Sequence, residues 1–254
     1  MRFGGIPGFQ GLAGRGSLRH IPAMREETDY HEKLDTADTW IFDLDNTLYP
    51  STCNLFDQVD KKMGAFISAY LNIDLEEARR IQKQYFREHG TTLNGLMTHH
   101  GMDPADFLAF VHDIDYSPVQ RNEDLVDAIR RLPGRKVIFT NGTVPHANSV
   151  LDRLGIQDEF DVFFDIVASD YVPKPNPAPY DKLLAQHDID PTRSVMLEDI
   201  ARNLEHPAKL GMVTVWVKTD HHWSHDGAGE GDHIHHVTDD LAAWLSGYVR
   251  TRHG

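Results

Sequence analysis

Short apolar runs recur along the chain, with helix-like stretches around them. The runs occupy residues 40–42, 137–139, 163–168, 195–197 and 213–217. Runs of this length are typical of strands that are buried on both faces of a parallel sheet. Helical patterns cover residues 125–132, 146–154, 180–187, 204–210 and 241–248. Strands that alternate with helices predict an α/β fold in which helices cover both faces of the sheet.

The stretch between the first two runs has a different pattern. Residues 51–123 show helical periodicity and no convincing strand. Asp74 with Glu77 is a capping-box pattern, and Asp103-Pro104 is typical of a helix start. An earlier helix is predicted from apolar positions on one face, namely Phe56, Val59, Met63, Phe66, Ile67, Tyr70 and Leu71. A crossover between parallel strands needs only about a dozen residues, so the excess predicts an inserted all-helical cap.

These patterns divide the chain into three predicted parts: a core, a cap and an N-terminal extension. Residues 31–50 and 124–254 are assigned to the sheet-containing core, and residues 51–123 to the cap. The start of the chain is rich in Gly and Arg and lacks the apolar stretch of a signal peptide. Residues 1–30 are therefore predicted to be a disordered extension.

Composition narrows the classes of partner. The formal net charge of −14 disfavours nucleic acid polymers and anionic membranes, because both require a basic face. No apolar run is long enough to span a bilayer. The single cysteine, Cys53, excludes an intrachain disulfide and fits a reducing compartment, which predicts a cytoplasmic protein. The sequence leaves a monomer and a homodimer equally open.

Polar side chains follow the predicted strands at the point where each strand ends. They are Asp43 and Asp45 after the first strand, Thr140 and Asn141 after the second, Lys174 after the third, and Glu198 and Asp199 after the fourth. The carboxyl ends of parallel strands converge on one crevice, where ligands bind. Each feature alone is common turn or capping chemistry. All four in this order favour a functional site.

These residue types suit phosphoryl transfer. One carboxylate of the Asp43–Asp45 pair can attack phosphorus, and the other can protonate the leaving oxygen and later deprotonate water. Clustered carboxylates repel each other, and a hard cation such as Mg²⁺ relieves this repulsion. The Lys174 ammonium and the Thr140 hydroxyl can hold phosphoryl oxygens. The backbone N–H groups of Leu44, Asp45 and Asn141 can complete that cradle.

Four motifs in this sequence resemble those of the haloacid dehalogenase superfamily. They are Trp-Ile-Phe-Asp43-Leu-Asp45-Asn-Thr-Leu, Val-Ile-Phe-Thr140-Asn141-Gly, Pro-Lys174-Pro and Met-Leu-Glu198-Asp199. The resemblance implies a Rossmann-like, three-layer core with a helical cap inserted after the first motif. It also implies Asp43 as nucleophile, Asp45 as general acid/base, and Thr140 and Lys174 as phosphate contacts. The implied Mg²⁺ ligands are Asp43, the Asp45 backbone carbonyl and Asp199.

Two longer stretches resemble the pyrimidine 5′-nucleotidase group of that superfamily. They are Phe-Asp-Leu-Asp-Asn-Thr-Leu-Tyr49-Pro50 and Glu198-Asp199-x-x-x-Asn203-Leu-x-x-Pro207-Ala-Lys-x-Leu-Gly-Met. This implies a small phosphorylated metabolite, a nucleoside 5′-monophosphate, as substrate. Asn203 departs from the aspartate of many members, so it is expected to orient a metal-bound water or Lys174. Glu198 is expected to lie behind the metal ligands as a hydrogen-bond acceptor.

Several alternative functions would use some of the same site residues. The dehalogenase branch lacks the second aspartate, so Asp45 favours a phosphatase. A phosphatase for a sugar phosphate or phosphoglycolate would differ mainly in its cap. A phosphomutase shares both aspartates, whereas a non-catalytic phosphate-binding module would not need both.

Several other conspicuous residues are expected to be structural. The histidine-rich segment 221–236 is interleaved with glycines and is typical of a solvated loop rather than a transition-metal site. Trp223 is expected to pack on the core, with a lid contact as the alternative. His99 and His100 are expected to form a polar helix end. Cys53 has no basic partner nearby in sequence that would make it a nucleophile.

Overall fold

A computed structural model describes residues 32–229 and 231–253, so the predicted extension over 1–30 lies outside the described residues. Within those ranges, six parallel strands form one sheet. They are β1 (Thr39–Phe42), β2 (Arg135–Phe139), β3 (Val162–Phe164), β4 (Ser194–Glu198), β5 (Val213–Val217) and β6 (His236–Thr238). Their order is β3-β2-β1-β4-β5-β6. β1 is therefore hydrogen bonded on both sides.

Helices occupy most of the segments between strands. Between β1 and β2 lie α1 (Leu55–Leu71), α2 (Leu75–His89), α3 (Thr92–His100), α4 (Pro104–Val111) and α5 (Glu123–Arg131). Later in the chain follow α6 (Val144–Leu154), α7 (Pro177–His187), α8 (Glu205–Lys209) and α9 (Leu241–His253). From β2 to β5 strands and helices alternate, as the sequence pattern predicted.

Successive residues of β1 show that both faces of the sheet are covered. Trp40 and Phe42 pack into one buried apolar cluster, and Ile41 packs into another. Neighbouring side chains on a strand point to opposite faces, so the two clusters lie on opposite sides of the sheet. This arrangement confirms the predicted α/β fold with a three-layer, Rossmann-like core.

Helices α1 to α4 pack around a third apolar cluster. It includes Val59 and Ile67 of α1, Ala78 of α2 and Leu96 of α3. The α2 N-cap is Asp74, whose side chain accepts a hydrogen bond from the Glu77 backbone N–H, as the capping-box pattern predicted. The domain boundaries at 31–50, 51–123 and 124–254 stay a prediction.

The structure corrects the prediction of a strand over residues 163–168. β3 ends at Phe164. Asp165 ends it, because its carboxylate accepts hydrogen bonds from the backbone N–H groups of Val144 at 2.9 Å and Ala168 at 2.8 Å. Those bonds turn the chain out of the sheet.

The sequence pattern predicted only the end of α3, at His99 and His100, and it missed β6. Helix α3 contains Gly95, and its N-cap is Thr91, whose side chain accepts a hydrogen bond from the Asn94 backbone N–H. Strand β6 has the sequence His-Val-Thr, lies at the sheet edge and pairs only with β5. β6 lacks the apolar run on which the strand predictions depended, and in α3 Gly95 lies between the apolar residues Leu93 and Leu96. Across the described ranges, no helix is both long and apolar enough to cross a membrane.

Candidate active site

Loops from several strands bring polar side chains together at the carboxyl edge of the sheet. Asp43 directly follows β1, Thr140 follows β2, and Glu198 ends β4 with Asp199 next to it. Lys174 comes from the loop after β3. All five side chains are buried. The structure thus brings together the strand-end residues that the sequence predicted to meet.

Lys174 is the cation at the centre of this group. Its Nζ atom lies 2.7 Å from Asp43 Oδ1, 2.7 Å from Glu198 Oε2 and 2.9 Å from the Phe139 carbonyl oxygen. These contacts use all three N–H donors of the ammonium. Burial lowers the pKa of Lys174, but the two carboxylates raise it by more, to above its usual range. Lys174 is therefore a permanent positive charge in this site.

Asn141 fixes the loop that carries Lys174 to the end of β2. The Lys174 backbone N–H donates to Asn141 Oδ1 at 2.9 Å, and Asn141 Nδ2 donates to the Lys174 carbonyl oxygen at 3.3 Å. A side-chain amide can donate and accept at once, so one residue makes both bonds. This loop-holding contact adds to the phosphate contact predicted for the Asn141 backbone.

The other predicted phosphate contacts are free to take a ligand. Among the described residues, no hydrogen-bond acceptor is found for the backbone N–H groups of Leu44, Asp45 and Asn141. The Thr140 hydroxyl oxygen accepts a hydrogen bond from the Gly142 backbone N–H at 2.9 Å. Its own O–H remains able to donate, so these groups suit an anion.

Asp43 lies among other carboxylates. Burial and the nearby charge of Glu198 raise the pKa of Asp43, Lys174 partly offsets them, and the result is about 7. Oδ2 of Asp43 accepts a hydrogen bond from the Thr47 hydroxyl at 2.9 Å. With Lys174 on Oδ1, each oxygen has a donor that fixes the carboxylate in place.

Asp45 has the opposite environment. Burial raises the pKa of its carboxyl group, but His146 and Tyr49 outweigh this effect and lower the pKa to about 2. The Tyr49 hydroxyl donates to Asp45 Oδ1 at 2.6 Å, and His146 Nε2 lies 2.8 Å from the same oxygen. Both contacts involve Oδ1, which leaves Oδ2 available for another partner.

His146 is itself held from the other side. Its Nδ1 atom lies 3.0 Å from the Tyr116 hydroxyl, and its ring stacks on His112 with centroids 4.4 Å apart. Burial and the neighbouring His146 lower the pKa of His112 to about 3, so His112 is neutral near pH 7. This arrangement orients His146 toward Asp45.

Sequence reasoning missed the groups around Asp45. His146 lies in the first turn of α6, shortly after Thr140, and is almost fully buried. The signal in the sequence was the position of His146 itself, in the first turn of the helix that follows the Thr140-Asn141 motif. His112 and Tyr116 lie about thirty residues earlier in the chain, and only the fold brings them near.

Three carboxylates form a group suited to a divalent cation. Oxygens of Asp43, Glu198 and Asp199 all lie within 4.8 Å of one another, and all three residues are buried. Burial, together with the charges of Asp43 and Glu198, raises the pKa of Asp199 well above its usual range. Its Oδ2 atom is buried and has no hydrogen-bond partner among the described residues. An orphaned oxygen beside other carboxylates fits a hard cation such as Mg²⁺.

Glu198 and Asn203 form a connected pair behind that group. Glu198 Oε2 accepts from Lys174, while Oε1 accepts from Asn203 Nδ2 at 3.0 Å. Both oxygens of Glu198 thus have donors already. Asn203 therefore contacts Glu198 rather than Lys174, and it reaches Lys174 only through that carboxylate.

A cavity of about 390 Å³ lies over the polar group and is lined by residues of α1 to α4 as well as of the sheet edge. Its walls include the aromatic side chains Phe56, Phe86 and Trp223. The Phe56 and Trp223 rings lie 5.7 Å apart, so Trp223 contacts α1 and supports the lid alternative. The mostly apolar wall with polar groups at one end is typical of a small-molecule site.

The remaining conspicuous residues lie elsewhere. His99 and His100 end α3 as expected, and neither lines the cavity. Cys53 is half-buried, and burial raises the pKa of its thiol, which disfavours the reactive thiolate. Within the described part of segment 221–236, no three ligand atoms lie close enough to share a metal ion.

Comparison with protein families agrees with this geometry. A model of the haloacid dehalogenase-like hydrolase family matches residues 37–211, a range that includes every strand-end residue described above. The chain belongs to this family.

Two curated relatives are similar over most of the chain. Phosphate metabolism protein 8 of Saccharomyces cerevisiae is 25% identical over 216 residues, which are 77% of this chain and 67% of the relative. The glyceraldehyde 3-phosphate phosphatase of Methanopyrus kandleri is 27% identical over 197 residues, which are 70% of this chain and 82% of the relative. One relative of this hydrolase is thus a phosphatase by name.

Solved structures of the haloacid dehalogenase-like family share the fold. A HAD phosphatase from Thermococcus onnurineus gives a TM-score of 0.55 at 18% identity, covering 85% of this chain and 98% of that one. YfnB of Bacillus subtilis, whose structure was solved with bound magnesium, gives a TM-score of 0.52 at 16% identity. The match covers 82% of this chain and 96% of that one. These similarities extend across the sheet and the inserted helices together.

Proposed function

We propose that this hydrolase releases phosphate from small phosphate monoesters with the help of Mg²⁺, through a phospho-aspartate at Asp43. The observation that carries the proposal is the contrast between two neighbouring aspartates at the end of β1. Asp43 contacts Lys174 within a carboxylate group suited to a cation, whereas Asp45 is bonded to His146 and Tyr49. One carboxylate is arranged as a nucleophile and the other as a proton carrier.

In the first step, an Asp43 oxygen attacks phosphorus. The bond from this oxygen to phosphorus forms, the bond to the ester oxygen breaks, and the leaving oxygen takes a proton from Asp45. The pKa of Asp45 near 2 belongs to the site without an ester. A bound ester dianion raises it, because like charges repel.

In the second step, water attacks phosphorus and gives its proton to Asp45. The bond between Asp43 and phosphorus then breaks, and inorganic phosphate leaves. Tyr49 and His146 stabilise the carboxylate form of Asp45, which is the form that accepts this proton. Lys174, Thr140 and the free N–H groups near them stabilise the charge on the phosphoryl oxygens.

Asp43, Asp199 and the Asp45 backbone carbonyl are the proposed holders of Mg²⁺, with Glu198 and Asn203 behind them. The ion would offset the repulsion between an anionic nucleophile and an anionic ester. The orphaned Asp199 oxygen and the raised pKa of Asp199 support this placement.

For the substrate we propose a nucleoside 5′-monophosphate, and a pyrimidine base in particular. Support comes from the two stretches around Tyr49 and Asn203 that resemble pyrimidine 5′-nucleotidases. The cavity adds a physical argument, because the Phe56–Trp223 contact gives it an aromatic wall. A flat base stacks favourably on such a surface. We also propose that residues 51–123 act as the cap that carries this wall.

A sugar phosphate is the second candidate. The relative from Methanopyrus kandleri is named as a glyceraldehyde 3-phosphate phosphatase, and this chain covers 82% of it. A triose phosphate has no aromatic group that would use the wall formed by Phe56 and Trp223.

A panel of esters separates these possibilities. UMP, CMP, AMP, glyceraldehyde 3-phosphate and phosphoglycolate would be assayed for phosphate release with and without Mg²⁺. We expect the highest kcat/KM for UMP and CMP, and no release after chelation. A preference for the triose phosphate would reject the nucleotide and keep the phosphatase. Transfer of phosphate between sugar positions without release would instead indicate a mutase.

A matched pair of variants tests the aromatic wall. Phe56→Ala removes a ring that lines the cavity, while Phe110→Ala removes a similarly exposed ring that does not. We expect Phe56→Ala to raise KM for UMP about tenfold or more, the value of losing one stacking contact, with little effect on methyl phosphate. Equal KM values for UMP in both variants would contradict a stacked base.

A further inference from the structure

A second group of metal-binding side chains lies on the inserted helices, away from the cavity. Ligand atoms of Glu88, His89 and His99 all lie within 4.8 Å of one another. The Nε2 atoms of His89 and His99 are only 2.9 Å apart. All three residues are at least partly exposed, so an ion from solution can reach them.

The packing of α3 on α2 produces this group. A side chain at Gly95 would overlap Tyr85, so glycine lets α3 approach α2 closely. The His99 ring then stacks on Tyr85, with centroids 5.0 Å apart and planes at 14°. The His89 ring meets His99 edge-on at 4.8 Å. The two imidazoles are therefore oriented before any ion binds.

The distance between the two Nε2 atoms has a chemical consequence. At 2.9 Å one ring donates an N–H and the other accepts it, so a single proton lies between two nitrogens. A divalent cation can bind the Nε2 lone pairs of both neutral rings when the donor ring loses that proton from Nε2 and carries one on its own Nδ1 instead. Glu88 adds an anionic oxygen, and water completes the coordination.

We infer that Glu88, His89 and His99 form a binding site for a late first-row divalent cation, of which Zn²⁺ is a suitable probe. Two imidazoles and one carboxylate suit Zn²⁺, Ni²⁺ or Cu²⁺, whereas Mg²⁺ prefers oxygen ligands. The all-carboxylate group at Asp43 has the opposite preference. The two groups therefore select different ions.

The position of the site suggests its effect. His89 ends α2 and is followed by Gly90, which lies beside Pro173: a Cβ added at Gly90 would be 3.8 Å from Pro173 Cγ. Pro173 precedes Lys174 in the chain. A bound ion links the ends of α2 and α3 next to the point where Gly90 meets the Lys174 loop, so it is expected to stabilise that junction.

His100 provides a matched control. It neighbours His99, but its Nε2 atom lies 2.8 Å from the Tyr85 hydroxyl and it is not part of the ligand group. The wild-type chain, His99→Gln and His100→Gln would be dialysed against Zn²⁺ with millimolar Mg²⁺ present, and bound zinc counted. Other histidines of the chain contribute equally to all three proteins, so their binding cancels.

We expect His99→Gln to bind one zinc ion fewer than wild type, and His100→Gln to bind the same number. A wild-type count in His99→Gln, or the same loss in both variants, would overturn the inference. Glu88→Gln adds a second measurement that keeps both histidines. It should weaken zinc binding at this site by more than about tenfold, since loss of even an indirect partner costs that much, and an unchanged Kd would reject the carboxylate as a ligand.

Discussion

The two aspartates that follow β1 are separated by one residue in sequence and contact different parts of the molecule. Asp43 lies among Glu198 and Asp199 from the end of β4 and Lys174 from the loop after β3, and its pKa is raised to about 7. Asp45 lies against His146 of α6 and Tyr49, and its pKa is lowered to about 2. Two residues of the same type therefore differ strongly in their affinity for a proton. The pKa difference arises because the fold places carboxylates and a lysine beside Asp43, and a histidine and a tyrosine beside Asp45.

The largest expected effect comes from removing the nucleophile. Asp43→Asn should reduce phosphate release by at least about 10⁴-fold, because loss of a nucleophile removes the covalent route. Asp38→Asn is the control, since this carboxylate precedes β1 at the opposite end and pairs with Arg193 at the surface. Near-normal release by Asp43→Asn would place the nucleophile elsewhere.

Removing Asp45 should have a smaller effect that depends on the substrate. Asp45→Asn should slow hydrolysis of an alkyl phosphate by about 10²- to 10⁴-fold, the usual contribution of a general acid/base. With p-nitrophenyl phosphate, the leaving group needs no proton, so phosphoenzyme should form quickly and accumulate. Rapid-quench detection of the aspartyl phosphate checks this. Equal slowing of both esters would argue against an acid role.

Replacing His146, which contacts Asp45, should reduce the rate by less than replacing Asp45 itself. His146→Gln keeps a hydrogen-bond donor but removes the ring that stacks on His112. We expect kcat to fall about tenfold or more while KM changes little, because the Gln side chain lacks the ring that holds the donor in position against Asp45 and small misplacements slow catalysis. Gln157→Ala, at an exposed position beyond α6, is a control. A change in KM alone would assign His146 to substrate binding.

The smallest expected effect concerns stability and pH. The folded-state pKa of Asp43 is raised to about 7, so its ionisation destabilises the metal-free fold as pH rises from about 4 to 7. A cation at the carboxylate group should offset this cost above that range. Added Mg²⁺ should thus raise Tm by several degrees near pH 8 and by less near pH 5.5. Differential scanning calorimetry measures both shifts, and a larger shift at the lower pH would contradict the assignment.

The Asp43 side of the site was predictable from sequence because its parts follow buried strands. A parallel sheet places the ends of β1, β2 and β4 at one edge, so the meeting of Asp43, Thr140 and Glu198 follows from topology. Apolar runs mark such strands clearly. Among the five predicted strands, only β3 was clearly too long, because the run continues past Asp165, whose hydrogen bonds turn the chain out of the sheet.

The Asp45 side could not be predicted in the same way. His112 and Tyr116 come from the helical segment, and their contact with His146 depends on how that segment packs over the sheet. Helix-to-sheet packing follows from many weak side-chain contacts rather than from a repeating hydrogen-bond pattern. The cavity wall at Phe56 and Trp223 has the same origin. Its shape, which bears on substrate choice, was therefore invisible in the sequence.

The inner position of β1 has a consequence for hydrogen exchange. Its residues are bonded to β2 on one side and β4 on the other, so their amide hydrogens exchange only when the sheet itself opens. The helices over the cavity need only a local opening. Deuterium should thus enter α1 to α4 long before it reaches Ile41 and Phe42. Local openings of the helices over the cavity should therefore leave β1, which supports Asp43, in its folded position.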